Sequence, residues 1–186
     1  MIEIKGVQIP TQIEDFTIEQ FESVTKILND QDTTIIERYI DALYALKLSD
    51  DFLNDLSDDD LFEIIKSFQD KTEDFKMLLH RTLEVGGFIY EAYAEGEEFS
   101  LKAKDLVYIE KSLGDKNNFF SGVLAIVFKR SDLGNKEHYT SAHVKHKTSL
   151  FKTLNARDYY PYIIWISQKL NEKIKTINER PEPTPQ

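Results

Sequence analysis

The chain contains no cysteine. That excludes a disulfide framework, a thiolate metal site and a thiol nucleophile, and it fits a reducing compartment. Long apolar runs are missing as well. The two most continuous, residues 119–129 (FFSGVLAIVFK) and 159–166 (YYPYIIWI), fall short of the roughly 18 residues that a membrane span requires. Met1 is followed by a Glu-containing, non-apolar segment, so no signal peptide is expected and the chain reads as soluble and made in the cytoplasm. It has no phosphate-binding glycine loop, nucleophile elbow, HExxH helix or internal repeat. The expectation is a protein that is not an enzyme and uses no cofactor and no metal.

What is present suffices for a core. In 186 residues, 41% hydrophobic and 12% aromatic side chains are enough for one domain to fold, and both apolar runs must be buried inside it. Charge is divided unequally along the chain. Residues 1–100 hold 8 Lys+Arg against 24 Asp+Glu, a balance of −16, whereas residues 101–186 hold 15 against 9, a balance of +6. Surfaces of opposite sign either close on each other within one chain or meet between copies, and head-to-tail contacts of the second kind build rings or filaments.

Hydrophobic spacing and stop signals predict a mainly α fold. It is an irregular multi-helix bundle with a short N-terminal β-strand or hairpin arm and an extended C-terminal tail. Residues 2–9 (IEIKGVQI) alternate apolar and polar around Gly6, which gives the arm, residues 1–16. An acidic helical lobe spans 17–100. Thr17 to Gln20 and Thr34 to Glu37 have capping-box spacing, and they start helices expected over 17–29 and from 34 to about 47. Ser57 or Asp58 caps a third, over 59–68. The segment from 75 to 93 begins as a helix, but Gly86-Gly87 leaves a bent helix and a strand around a turn both open.

A basic and aromatic helical lobe over 101–178 packs on the first as one domain. It opens with a Ser100-capped helix that stops at Gly114. The apolar run at 119–129 is read as a core helix, followed by a turn at 131–135. A basic helix over 141–154 and a last helix from about Ala156 to Ile177 complete the lobe, with Pro161 placed in first turns where a missing donor costs little. Residues 179–186 form the proline-rich tail.

Four constellations bear on chemistry. The acid-rich stretch 49–60 suggests calcium, but it lacks the loop glycine and closing glutamate, and carboxylates at helix starts explain it. His138, His143 and His146 suggest zinc, yet Lys136, Lys145 and Lys147 would repel a cation. Paired carboxylates such as Asp50 with Asp51 or Glu97 with Glu98 lie in polar runs with nothing to separate their pKa values. The stretch 116–157 holds 8 Lys+Arg, 2 Asp+Glu and three histidines, with Tyr139 and Phe151 interleaved. It suits an acidic protein partner better than nucleic acid, because the whole chain carries −10.

Several patterns resemble small helical structural and morphogenesis proteins of tailed bacteriophages. They are IPTQIEDFTIEQFESV at 9–24, VLAIVFKR at 123–130, LFKTL in the basic helix at 150–154 and YYPYIIWI at 159–166. The resemblance implies a non-enzymatic role in the virion, as a tail, neck or connector-ring component or a packaged one. Its partners would be other virion or tail proteins or copies of itself, without membrane contact. Tyr159, Tyr160, Tyr162 and Trp165 are the candidate anchors. Lys145, Lys147, Arg130 and Arg157 are the candidate charges that select partner and orientation. A tail assembly chaperone and an acidic DNA mimic that inhibits a host protein are the alternatives.

Overall fold

The computed structural model describes residues 1–69, 79–92, 103–133 and 140–178. The fold is mainly helical and starts with an antiparallel strand pair, β1 (Ile2–Ile4) and β2 (Val7–Ile9). Lys5 and Gly6 both take positive φ, 50° and 77°, the turn whose twist matches a two-residue hairpin. Ile4 and Ile9 thereby face one way and meet Leu43 and Ile64 in a small cluster of their own.

A single 3-10 turn (Ile13–Asp15) leads into α1 (Ile18–Leu28), and α2 (Ile35–Ala45) follows. Both predicted capping boxes are formed: Thr17 with Gln20, and Thr34 with Glu37. The acid-rich stretch then splits into two helices, α3 (Asp50–Asn54) and α4 (Asp58–Gln69). Ser49 accepts from Phe52 N, and Ser57 accepts from Asp60 N while the Asp60 carboxylate takes the Ser57 N–H. These carboxylates lie at helix starts, where the backbone dipole favours them.

The open alternative around Gly86 resolves as a strand around a turn. Strands β3 (Thr82–Val85) and β4 (Phe88–Glu91) pair with Val85 opposite Phe88, and both glycines take positive φ. A strand that the sequence did not suggest, β5 (Lys129–Arg130), adds to β4 and makes a three-stranded sheet. Three helices join it: α5 (Ala103–Gly114), α6 (Phe119–Val127) and α7 (Ser141–Phe151). The last helix is α8 (Ala156–Asn178). Pro161 is its sixth residue, so it removes a bond inside the helix rather than an amide already without a partner, contrary to the expectation for a first turn. Ser100, the Glu97–Glu98 pair, His138, Tyr139, Lys136, the start of the 75–93 segment and the tail lie outside the described residues.

At the centre is α6. Residues 120–128 are wholly buried, and α1, α5, α7 and α8 pack around them. Aromatic rings from four elements close the packing: Phe21, Phe120 and Tyr160 on one side, Phe128, Phe151 and Tyr162 on the other. Close approach of α5 to α6 is permitted by Gly122, where an added Cβ would lie 2.8 Å from Ser112 Oγ.

Candidate functional site

Two main-chain stitches bring the N-terminal and C-terminal parts of the chain together. The first amides of α1, Ile18 and Glu19, donate to the carbonyls of Leu154 and Lys152, and the first amide of α8, Ala156, donates to Phe16 O. Asn155 Nδ2 adds a bond to Glu14 O. This exchange lays Lys152 alongside α1. On the other flank, the turn after α5 is fixed by Asp115, whose carboxylate accepts from Asn117 N at 2.9 Å and Asn118 Nδ2 at 2.8 Å. The Asn118 amide, first among the causes, and the backbone amides of this turn hold the Asp115 carboxyl below the usual range. The rigid turn then presents Lys116 and Asn117 to α1, where Lys26 Nζ donates to Asn117 Oδ1 at 2.8 Å.

The result is a cleft of about 310 Å³ lined by Lys26, Lys116 and Lys152, with Ser23, Asn117, Glu19, Ile27 and Ala45. Among the described residues none of the three lysines forms a salt bridge. A second cleft of about 650 Å³ adjoins it and shares Lys26 and Lys116. Its walls add Phe119, Leu113, Gln31, Asp30 and Asp32. Sequence reading missed this site, because Lys26 and Asn117 stand 91 residues apart and no local pattern joins them.

The chain matches no family model, no curated protein and no solved structure.

Buried charge is concentrated at the two ends of α6. Asn118, the residue that precedes the helix, makes no side-chain cap, and the task falls to Glu22 of α1. Its Oε1 accepts from Phe120 N and Ser121 N, each at 2.7 Å, and Ser121 Oγ donates to both carboxylate oxygens. Burial raises the Glu22 pKa, and these hydrogen bonds oppose the rise. At the far end, Lys147 Nζ donates to Phe128 O at 2.7 Å and lies over the Tyr90 ring. Asp105 is buried nearby, 4.0 Å from Lys129. A carboxylate at the N-terminus and an ammonium at the C-terminus both complement the helix dipole.

These placements correct two of the partner-contact candidates. Tyr162 is 1% exposed, its ring against Phe128 and Trp165 and its hydroxyl donating to His80 O, so it belongs to the core and has no face for a neighbour. Lys147 is 3% exposed and is committed to the end of α6. Tyr159, Tyr160 and Trp165 are half-buried against the core. Tyr159 has a phenol pKa raised by burial first and by Asp158 second. Arg130 is half-buried, paired with Asp132 and 3.9 Å over the Phe88 ring. Lys145 and Arg157 are exposed.

Large apolar side chains are exposed on the acidic helices, and also elsewhere, at Met1, Phe88, Ile89, Val107 and Leu133. Ile35 (59% exposed), Ile36 and Tyr44 are on α2, and Phe62 (63%) is on α4. Residues 35–69 around them hold nine Asp+Glu and three Lys+Arg. Helix α7 is the opposite: it has no acidic residue, and His143, Lys145 and His146 are exposed on it. Asp50 and Asp51 are exposed in the first turn of α3. Among the described residues no three His, Asp or Glu side chains converge as a metal ion requires, and no helix is long and apolar enough to cross a membrane.

Proposed function

We propose that this chain is a non-enzymatic bacteriophage virion protein, a component of the tail, neck or connector ring or a packaged one, that works through contacts with other proteins. The observation that carries the reading is the pairing of an acidic surface studded with Ile35, Ile36, Tyr44 and Phe62 with a basic α7 that lacks any acid. Apolar side chains on a charged rim are the anatomy of a protein interface. Opposite charges then select the partner and its orientation. The buried ionisable groups Glu22, Asp105 and Lys147 are engaged at or beside the ends of α6, which is consistent with a scaffold whose charges hold a fold. The resemblance to phage morphogenesis proteins supplies the setting.

Mass spectrometry of purified particles tests the proposal, with a fixed copy number per particle as the expected result. Absence from particles combined with binding to a tail component during assembly would replace it with the chaperone reading. Tight binding to a host nuclease in place of both would favour the acidic DNA mimic.

A further inference from the structure

We infer that the cleft of Lys26, Lys116 and Lys152 binds a phosphate group, either as inorganic phosphate or at the end of a small phosphate monoester. This inference goes beyond the protein-contact reading and does not depend on it.

Three lysines brought from α1, the turn after α5 and the end of α7 line one space in a protein whose net charge is −10. Like charges gathered in a concave wall repel one another, and the arrangement is relieved by an anion that all of them reach. The cleft has one carboxylate, Glu19, against three lysines. The two acids flanking it are already engaged: Glu22 with the start of α6, and Asp115 with Asn117 and Asn118. Both also feel the charge of Lys152.

Asn117 adds direction. Its Oδ1 accepts from Lys26, so its Nδ2 is the group left to donate. The Ser23 hydroxyl gives its proton to Glu19 O at 2.9 Å and presents lone pairs, which suit a protonated phosphate oxygen. The adjoining larger cleft offers Phe119 as an apolar wall and Asp30, Asp32 and Gln31 as partners for hydroxyl groups. A phosphorylated sugar fits that pairing of a cationic end and a hydrogen-bonding body.

Isothermal titration at low salt decides the matter, with inorganic phosphate, ribose 5-phosphate and ribose as the probes. Saturable binding of the two phosphates and none of ribose is expected. Tighter binding of the ester would assign the larger cleft to its sugar, and equal affinity would assign the site to free phosphate. Lys26→Gln and Lys116→Gln, both at exposed positions, should each weaken binding roughly tenfold, the loss of one charge-assisted hydrogen bond. Lys145→Gln, outside the cleft, should leave it unchanged, and thermal melts of all three should match the parent. The inference fails if neither phosphate saturates, or if Lys145→Gln weakens binding as much as the cleft variants. It also fails if a single-stranded oligonucleotide binds while the small phosphates do not, which would mark a nucleic-acid surface instead.

Discussion

Glu22 and Ser121, 99 residues apart in sequence, meet in the core through three hydrogen bonds, the longest 3.1 Å. With Phe120 N on the same Oε1, the carboxylate serves two of the amides that a helix start leaves without an internal partner. Replacement by alanine strands two buried N–H groups, each worth about 1–3 kcal/mol when left unmade. Glu22→Ala should therefore lower the unfolding free energy by about 2–5 kcal/mol. Glu22→Gln keeps the accepting oxygen and turns the second contact into a bond donated to Ser121 Oγ, so it should lose less than half as much. Urea denaturation of both variants checks the order, and equal losses would refute the cap.

The same residue sets a pH dependence. Because burial raises its pKa in the fold, the native state holds the Glu22 proton more tightly than the unfolded chain does. Its contribution to stability therefore grows as pH falls through the raised native value and levels off below the ordinary glutamate value of about 4.3. Glu37, Asp60, Asp115 and Asp132 act in the opposite sense. Hydrogen bonds from Thr34, Ser57, Asn118 and Arg130 respectively depress their values, so their contributions are present at neutral pH and lost as pH falls below the ordinary carboxylate range of about 4. Stability should thus peak on the mildly acidic side of neutrality. In Glu22→Gln the rise toward that peak should shrink while the acid limb stays, as measured by melting temperature across a pH series.

At the other end of α6, Lys147→Met retains the length of the side chain and removes the donor to Phe128 O. The variant gains from no longer burying an ammonium and loses a capped carbonyl, and the second effect should dominate because the group was hydrogen-bonded. A loss of about 1–3 kcal/mol is expected in the same denaturation assay. Unchanged stability would show that the end of α6 needs no cation.

Much of this architecture was legible because it is local. The capping boxes of Thr17 and Thr34, and Ser57 ahead of α4, are spaced within four residues, and each formed where the spacing placed it. The 119–129 run was legible as a core helix because Leu124, Ala125 and Phe128 continue the spacing from Phe120, although the helix stops at Val127, with Phe128 extended and Lys129 in β5. The three-stranded sheet was not legible, since β5 has two residues and is defined by its partner β4 rather than by its own pattern. Glu22 gave no sign either, being one polar position on an amphipathic helix, and its burial is decided by a segment a hundred positions away. Lys147 read as one more charge on a basic face for the same reason. The lysine cleft is likewise a product of tertiary stitching at Ile18, Glu19 and Ala156, which no spacing in the chain announces.

Gly122 tests how tightly α5 lies on α6. An alanine there would set its Cβ 2.8 Å from Ser112 Oγ and 3.0 Å from Ser112 Cβ, and the second atom is held by its own backbone. Relief requires the two helices to separate, so Gly122→Ala should cost about 1–3 kcal/mol despite the better helix propensity of alanine. Adding Ser112→Ala removes the hydroxyl alone and should restore part of the loss. A stabilised Gly122→Ala variant would show that the helices have room.

Charge layout leads to the remaining prediction, which concerns assembly. If the acidic α2–α4 surface of one copy meets the basic α7 of the next, association is heterologous and grows into rings or chains. It must also weaken with salt, because exposed charges more than about 3 Å apart are screened at 1 M. Native mass spectrometry or light scattering should find oligomers at low salt and monomers at high salt. Reversing the basic face (Lys145→Glu with Arg157→Glu) or the acidic one (Asp41→Lys with Asp59→Lys) should each give monomers. An equimolar mixture of the two variants should associate again, since each native surface meets its native partner and the two reversed surfaces are also opposite in sign. The mixture separates this contact from general charge effects, which would leave it monomeric. A parent protein that stays monomeric at every concentration and salt would end the self-assembly reading and leave contacts with other virion proteins as the form in which these two surfaces act.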